Sequence, residues 1–293
     1  MQEIRDMHGR IAQLVRAFDS HSKGPWFEPR YVHQTYILFK AGFLFYYGFM
    51  IKRAFILAGG AGTRLKPVTL EIPKPLVPVQ GIPIATWLLK LFALHGVEHV
   101  TVLIPTKWKH AFEQWSRSSA LPASVHVELF EEKEALGTLG ALVHEIEMGT
   151  DPVFVTNGDE LKGLDVTALA KFHMQASQDA PYPVATIALV RVPNPSEYGV
   201  AEMDGIRIAR FHEKPEIPPS TLISSGLYII DPQSIKDILQ DIDSSKKFLM
   251  FEKDLFPRLA QEKKLFGCEL AGAWYDCGTM ERWERAIVEW KGL

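Results

Sequence analysis

Three glycines, Gly59, Gly60 and Gly62, follow an apolar run from Ala54 to Ala58, and this junction constrains the chain more than any other stretch. The run has the length and bounding of a buried strand. Glycines at a strand exit lack Cβ and reach φ > 0 at little cost, so successive backbone N–H groups can approach an anion. Such a turn suits a phosphate cradle. Thr63 and Arg64 follow at once, and Lys74 stands between Pro73 and Pro75, whose rings fix φ on either side. A turn serving only to pack strand against loop would need neither Arg64 nor a proline-bracketed lysine.

Two common phosphate motifs fail at this position. A P-loop requires G-x-x-x-x-G-K-[ST], and no Gly-Lys-Ser/Thr follows these glycines. A dinucleotide fingerprint requires G-x-G-x-x-G, and Leu65 stands where the third glycine belongs. The stretch L-A-G-G-A-G-T-R-L from Leu57, followed by P-K-P-L from Pro73, strongly resembles the signature of the sugar-phosphate nucleotidylyltransferases, or NDP-sugar pyrophosphorylases.

Composition narrows the class. With 47% hydrophobic residues the 293-residue chain can bury a sizeable core, and a net charge of −3 leaves no basic field for nucleic acid. A nucleotide must then be held by local cations. Cys268 and Cys277 lack metal-ligand spacing in a chain without a secretory signal, which points to reduced thiols and a cytoplasmic location. Residues 1–49 carry no pattern leading into the domain, and Arg10 to Gln34 look like the peptide obtained when a transfer-RNA gene is translated. The expectation is that Met50 is the true initiator and that residues 50–293 form a single domain. A membrane anchor at Tyr36 to Met50 is the lesser reading, because its uncharged run is shorter than the ~20 apolar residues a span needs.

From Met50 onward strands alternate with helices. Ile84 to His95 reads as a buried helix closed by Gly96, His99 to Ile104 as a strand, Trp108 to Arg117 as a polar helix and Ser124 to Phe130 as a strand. His95, His99, His110, His126 and His144 share no spacing that would gather a metal. Gly137, Thr138 and Gly140 open a helical stretch whose N-terminus would offer N–H groups, although a plain cap by Thr138 explains the same residues. Pro152 to Glu160 is a strand ending in Asn-Gly-Asp, and Asp159 therefore stands where ligands gather in open α/β sheets. Ala168 to Gln178 reads as a helix and Val184 to Val192 as a central strand. Asp204-Gly205 marks a hairpin that ends at Glu213 and Lys214. Leu222 to Ile230 is a further strand, in which Ser224 and Ser225 stand where relatives often carry asparagine. Phe251 to Ala260, then A-W-Y-D-C-G-T with Asp276, then a helix from Met280 to Trp290 complete the chain.

The resemblance covers nearly all of Met50 to Trp290 and implies an α/β fold, Rossmann-like and GT-A-like, with a mixed, mostly parallel sheet flanked by helices in three layers. It places Leu57, Ala58, Gly59, Gly60, Gly62 and Thr63 on the nucleotide, with Gly137 and Thr138 against the base. It makes Arg64, Lys74 and Lys214 catalytic, and sets Gly199, Glu213, Lys214 and Ser225 on the sugar phosphate. Asp159 and Asp276 would share Mg²⁺, an ion that usually takes one or two protein carboxylates with phosphates and waters. The implied reaction joins a sugar-1-phosphate to the α-phosphorus of a nucleoside triphosphate and releases pyrophosphate. The Leu136 to Ala141 loop and the short chain look most like mannose- or heptose-1-phosphate guanylyltransferases. UTP- or dTTP-dependent relatives share most of these residues. Phosphocholine cytidylyl transfer, with Tyr198, Tyr228 and Trp274 caging the ammonium, and a non-catalytic regulatory homologue also stay open. Neither nucleic acid nor membrane is an expected partner, and a homo-oligomer is compatible with the sequence.

Overall fold

The computed structural model describes residues 51–60, 62–144, 148–177, 184–239 and 247–293. The expectation about residues 1–49 lies outside the described residues. Strand β1 (Arg53–Leu57) sits between two parallel neighbours, β4 (His99–Pro105) and β6 (Val153–Asn157). They belong to a sheet with β5 (His126–Glu132), β8 (Ala185–Arg191), β9 (Gly199–Asp204), β10 (Arg207–Glu213), β11 (Leu222–Ile230) and β12 (Leu265–Glu269), while β2 (Pro78–Val79) and β3 (Ile82–Pro83) pair by themselves. The nine strands stand in the order β5-β4-β1-β6-β11-β8-β12-β10-β9. β10 and β11 run against the other strands, so the sheet is mixed and mostly parallel in direction, as expected.

Apolar runs without polar alternation are what a sheet covered on both faces demands. Ala54 and Ile56 of β1 enter one core while Phe55 enters the other, and β6 divides Phe154 from Val153 and Val155 in the same way. One core is closed by helices at Ile84–Leu94, Lys109–Ser116, Val166–Ala176 and Met280–Glu289. The opposite core is closed by helices at Gly137–His144, Pro232–Leu239 and Phe256–Gln261. This is the three-layer arrangement. The helix expected at Trp108 to Arg117 starts one residue later, at Lys109, and buries Phe112 and Trp115 against the first core.

The Asp204-Gly205 turn forms the predicted hairpin, with Gly205 at φ 59° and Arg207 paired to Asp204. Another two-stranded sheet joins β7 (Glu160–Leu164) to β13 (Gly272–Asp276), and its register sets Asp276 opposite Glu160. That register brings the two acidic motifs of the sequence to the same edge of the fold.

Candidate active site

A cavity of about 710 Å³ opens at the carboxyl ends of β1, β4 and β6, where Leu57, Pro105 and Asn157 line it. Ligands of open α/β sheets bind in this place because parallel strands end together there and their connections diverge. Gly59, Gly60, Gly62, Thr63 and Arg64 form one wall, Lys74 and Asp159 line it beneath them, and Leu136, Gly137, Thr138, Phe248, Met250 and Glu252 form the far end. The glycine turn is anchored from below. The Thr69 hydroxyl donates to the Gly62 carbonyl at 2.8 Å, and a Cβ on Gly62, whose φ is +60°, would meet Thr69 Cγ2 at 2.8 Å.

Lys74 is the centre of the charge arrangement. Its residue is only 7% exposed, and its Nζ lies 2.5 Å from Asp159 Oδ2 and 3.9 Å from Asp276 Oδ1. Burial works against the ammonium charge, but the carboxylates of Asp159, Asp276 and Glu160 together more than offset it, so the pKa of Lys74 stands above its ordinary value. Burial likewise opposes ionisation of Asp159, and Lys74 overcomes it, holding that carboxyl below its usual range. Both groups are therefore charged near neutrality. Arg64, more exposed, pairs with Glu197 at 3.3 Å.

The helix opened by Gly137 is built differently from the expectation of free N–H groups. Leu139 and Gly140 donate their amides to the Leu249 carbonyl at 2.9 and 3.2 Å, so the segment before Phe251 satisfies them. Gly137 is glycine for a local reason: its φ is +81° and a Cβ would lie 2.3 Å from that same carbonyl. Thr138 does not act as a simple cap. Its hydroxyl donates to Glu252 Oε2 and accepts from the Phe251 amide, both at 3.0 Å, tying the loop to the cavity end.

The four residues expected on the sugar phosphate, Gly199, Glu213, Lys214 and Ser225, are not among those lining the cavity. Ser225 is fully buried and donates its hydroxyl to the Ala188 carbonyl at 2.8 Å, so the strand neighbour takes the proton that a ligand would need. Lys214 adopts φ 48°, keeps its side chain 60% exposed and pairs with Glu213 at 3.3 Å. Gly199 is buried, and a Cβ there would fall 2.3 Å from the Phe211 ring, so packing alone accounts for the missing side chain. Gly199→Ala is expected to cost about 1–3 kcal/mol by overpacking, and a second change, Phe211→Leu, should recover it in a urea titration. A Gly199→Ala protein with unchanged stability but weakened sugar-phosphate binding would assign the glycine to the ligand instead.

Of the three rings of the aromatic cage, Tyr198 and Trp274 meet edge to face at 5.3 Å, while Tyr228 is 1% exposed and packed among Phe251 and Phe256. The Tyr198 ring carries the Arg282 guanidinium at 5.4 Å. Tyr198 instead faces Asp276, donating to its Oδ2 at 3.3 Å. Burial, then the Asp276 charge, pushes the Tyr198 hydroxyl up to about 12, so it remains a donor.

Glu160 also has a firm structural role. Asn157, Lys162 and Trp274 donate to its carboxylate at 3.1, 3.0 and 3.0 Å, and it packs against Gly226, where a Cβ would lie 2.7 Å away. Burial pushes its pKa up, in part against Lys162. Lys162, itself 1% exposed, carries no sequence signal beyond being a lysine in the short strand Glu160–Leu164. Glu252, Glu197 and Arg282 were also not assigned from sequence. Only Arg282 had a local cue, since it lies on the first turn after Thr279, which accepts its amide proton at 3.3 Å.

The comparisons with known proteins agree with this fold. A family model described as nucleotidyl transferase matches residues 53–290. A mannose-1-phosphate guanylyltransferase catalytic subunit beta from Danio rerio is 37% identical over 77% of this chain and 61% of its own length. A mannose-1-phosphate guanylyltransferase from Mycobacterium tuberculosis is 34% identical over 80% of this chain and 64% of its own. The chain thus spans somewhat less than two thirds of these relatives. A solved Bacillus anthracis structure that bears the name of a glucose-1-phosphate thymidylyltransferase superposes with a TM-score of 0.69 at 22% identity, covering 80% of this chain and 93% of that one, which is a likeness of fold. From the glycine turn to the last acidic motif, this chain belongs to the nucleotidyl transferase family.

Proposed function

We propose that this protein transfers a nucleotidyl group from a nucleoside triphosphate to a sugar-1-phosphate and releases pyrophosphate, with GTP and mannose-1-phosphate as the favoured pair. The observation that carries the reading is Lys74, buried at the foot of the glycine-walled cavity and held between Asp159 and Asp276. The guanylyltransferase names of the relatives support the choice of base and sugar.

In this reading a phosphate oxygen of the sugar phosphate attacks the α-phosphorus, and the bond to the bridging oxygen of the leaving pyrophosphate breaks. No protein nucleophile is needed, so positioning and charge stabilisation carry the chemistry. Backbone amides of the glycine turn and the Arg64 guanidinium would hold the outer phosphates. The charged Lys74 ammonium would sit against the reacting group, where its burial strengthens each contact. Phe248 and Met250, at the far end beside Gly137 and Thr138, would flank the base. Glu213 and Lys214, at the end of β10, would serve the sugar phosphate only if the ligand reaches beyond the cavity wall.

Magnesium fits the acidic pair. Among the described residues no group of three or more His, Cys, Asp or Glu side chains could hold a metal, while Asp159 and Asp276 both lie against one ammonium. Two carboxylates with phosphates and waters make a shell typical of Mg²⁺ and not of a dedicated protein cage. When bound there, the ion would neutralise phosphate charge and align the reacting groups.

Among the described residues no helix is long and apolar enough to cross a membrane. We place the protein in the cytoplasm on composition alone. The test is pyrophosphate release across four nucleoside triphosphates and a panel of sugar-1-phosphates, with and without EDTA. Release should need both substrates and the metal and be fastest with GTP and mannose-1-phosphate. Absence of release with every pair, or release that ignores the sugar phosphate, would sink the reading.

A further inference from the structure

The two oxygens of Asp276 have separate surroundings. Oδ2 accepts from Arg282 Nη1 at 2.6 Å and from the Tyr198 hydroxyl at 3.3 Å, whereas Oδ1 faces Lys74 across 3.9 Å. Gly278 lines the cavity beside it, and a Cβ there would stand 2.6 Å from Oδ1, so a side chain at this position would crowd that oxygen.

Arg282 is itself held from several sides. Its Nη2 pairs with Glu197 Oε1 at 2.8 Å, its guanidinium lies over the Tyr198 ring, and its side chain is 19% exposed. The guanidinium fork thus spans two carboxylates from different parts of the chain, Asp276 at the end of β13 and Glu197 before β9. A lysine ammonium carries charge but not this planar fork. Glu197 Oε2 in turn accepts from Arg64. An alternating row of charges therefore runs from the glycine turn to Asp276 and on through Lys74 to Asp159.

We infer that Arg282 is a positioning residue: together with Tyr198 it occupies one oxygen of Asp276, so that the carboxylate offers only the other to a cation in the cleft. The inference rests on the reading of Asp159 and Asp276 as the cation's ligands. A freely rotating carboxylate would divide its time between orientations, and the pair would lose its fixed spacing. Outer partners of this kind typically set metal affinity by about 10- to 100-fold.

Mn²⁺ binding followed by electron paramagnetic resonance tests this on the full chain without recourse to turnover. Arg282→Ala should weaken Mn²⁺ binding about tenfold or more, and Arg282→Lys should fall between it and wild type. Tyr198→Phe removes the second donor without disturbing the helix, and should weaken binding by roughly 2- to 10-fold. The half-saturating Mg²⁺ concentration for pyrophosphate release should rise in proportion, with the KM for sugar phosphate unchanged. Mn²⁺ affinities of Arg282→Lys and Tyr198→Phe within twofold of wild type would overturn the inference, even where Arg282→Ala unfolds the protein. A wild-type protein that binds no Mn²⁺ would instead overturn the metal reading beneath it, and the inference with it.

Discussion

Lys74→Ala is expected to lower turnover about 10²- to 10³-fold, the cost typical of deleting one preorganised electrostatic contact. Among the described residues it is the lysine that reaches both Asp159 and Asp276, and its 7% exposure leaves water little room to substitute for it. The proline bracket makes the loss specific. Pro73 holds an extended backbone before the single turn Lys74–Leu76, so the side chain enters the cavity from a rigid base. Lys74→Arg keeps the charge but must fit a planar fork into a site built for a compact ammonium, and should recover only part of the rate. Steady-state kinetics with a thermal melt checks both variants. Turnover within tenfold of wild type in a folded Lys74→Ala protein would remove this lysine from the chemistry.

The second large effect concerns stability against acid. His173 lies in the helix Val166–Ala176 with 1% exposure, and its Nδ1 is 2.7 Å from the Thr186 hydroxyl on β8, while Nε2 has no hydrogen-bond partner among the described residues. Burial pushes its pKa down from 6.5 to about 4, only partly countered by Asp231. The imidazole is therefore buried neutral. Because the folded pKa is the lower one, the unfolded chain takes up the proton first as pH falls. The stabilisation is complete above the unfolded value and is lost between pH 6.5 and about 4, in all roughly 3 kcal/mol. Between pH 7 and pH 5 roughly 2 kcal/mol of this should disappear from the urea-unfolding free energy. His173→Gln, which cannot titrate, should lose less over the same interval, so its deficit relative to wild type should shrink as the solution is acidified. Parallel pH profiles for the two proteins would show that His173 carries no such linkage.

Local features of the chain were readable where they depend on neighbours in sequence. Strand β1 needs only a bounded apolar run, the β9–β10 hairpin only Asp204-Gly205, and the helix beginning at Met280 only the cap from Thr279. The elements that follow one another as strand and helix up to β6 implied a sheet covered on both faces, which the division of Phe55 from Ala54 and Ile56 realises. Motif spelling carried further than physics alone in placing Asp159 and Asp276. Neither residue type nor spacing indicates that they meet.

A motif does not say where a side chain points. Ser225 and Gly199 occupy motif positions, yet strand pairing turns the serine hydroxyl to Ala188 and ring packing fills the space beside the glycine. Conversely, Glu252, Glu197 and Arg282 were unreadable, since a charged residue in a polar stretch is most often solvated and only its partners reveal otherwise.

The order of the amino acids by itself determined a glycine turn at a strand exit, a lysine fixed by two prolines and the sheet's two apolar faces, because each arises from steric or periodic rules acting over a few residues. Tertiary structure alone decided which charges meet. The β7–β13 register sets Asp276 opposite Glu160 and so beside Asp159, and the approach of the residues before β9 delivers Glu197 and Tyr198 to Arg282. Coulomb interactions and hydrogen bonds act over a few ångströms, and those distances exist only once the chain has folded.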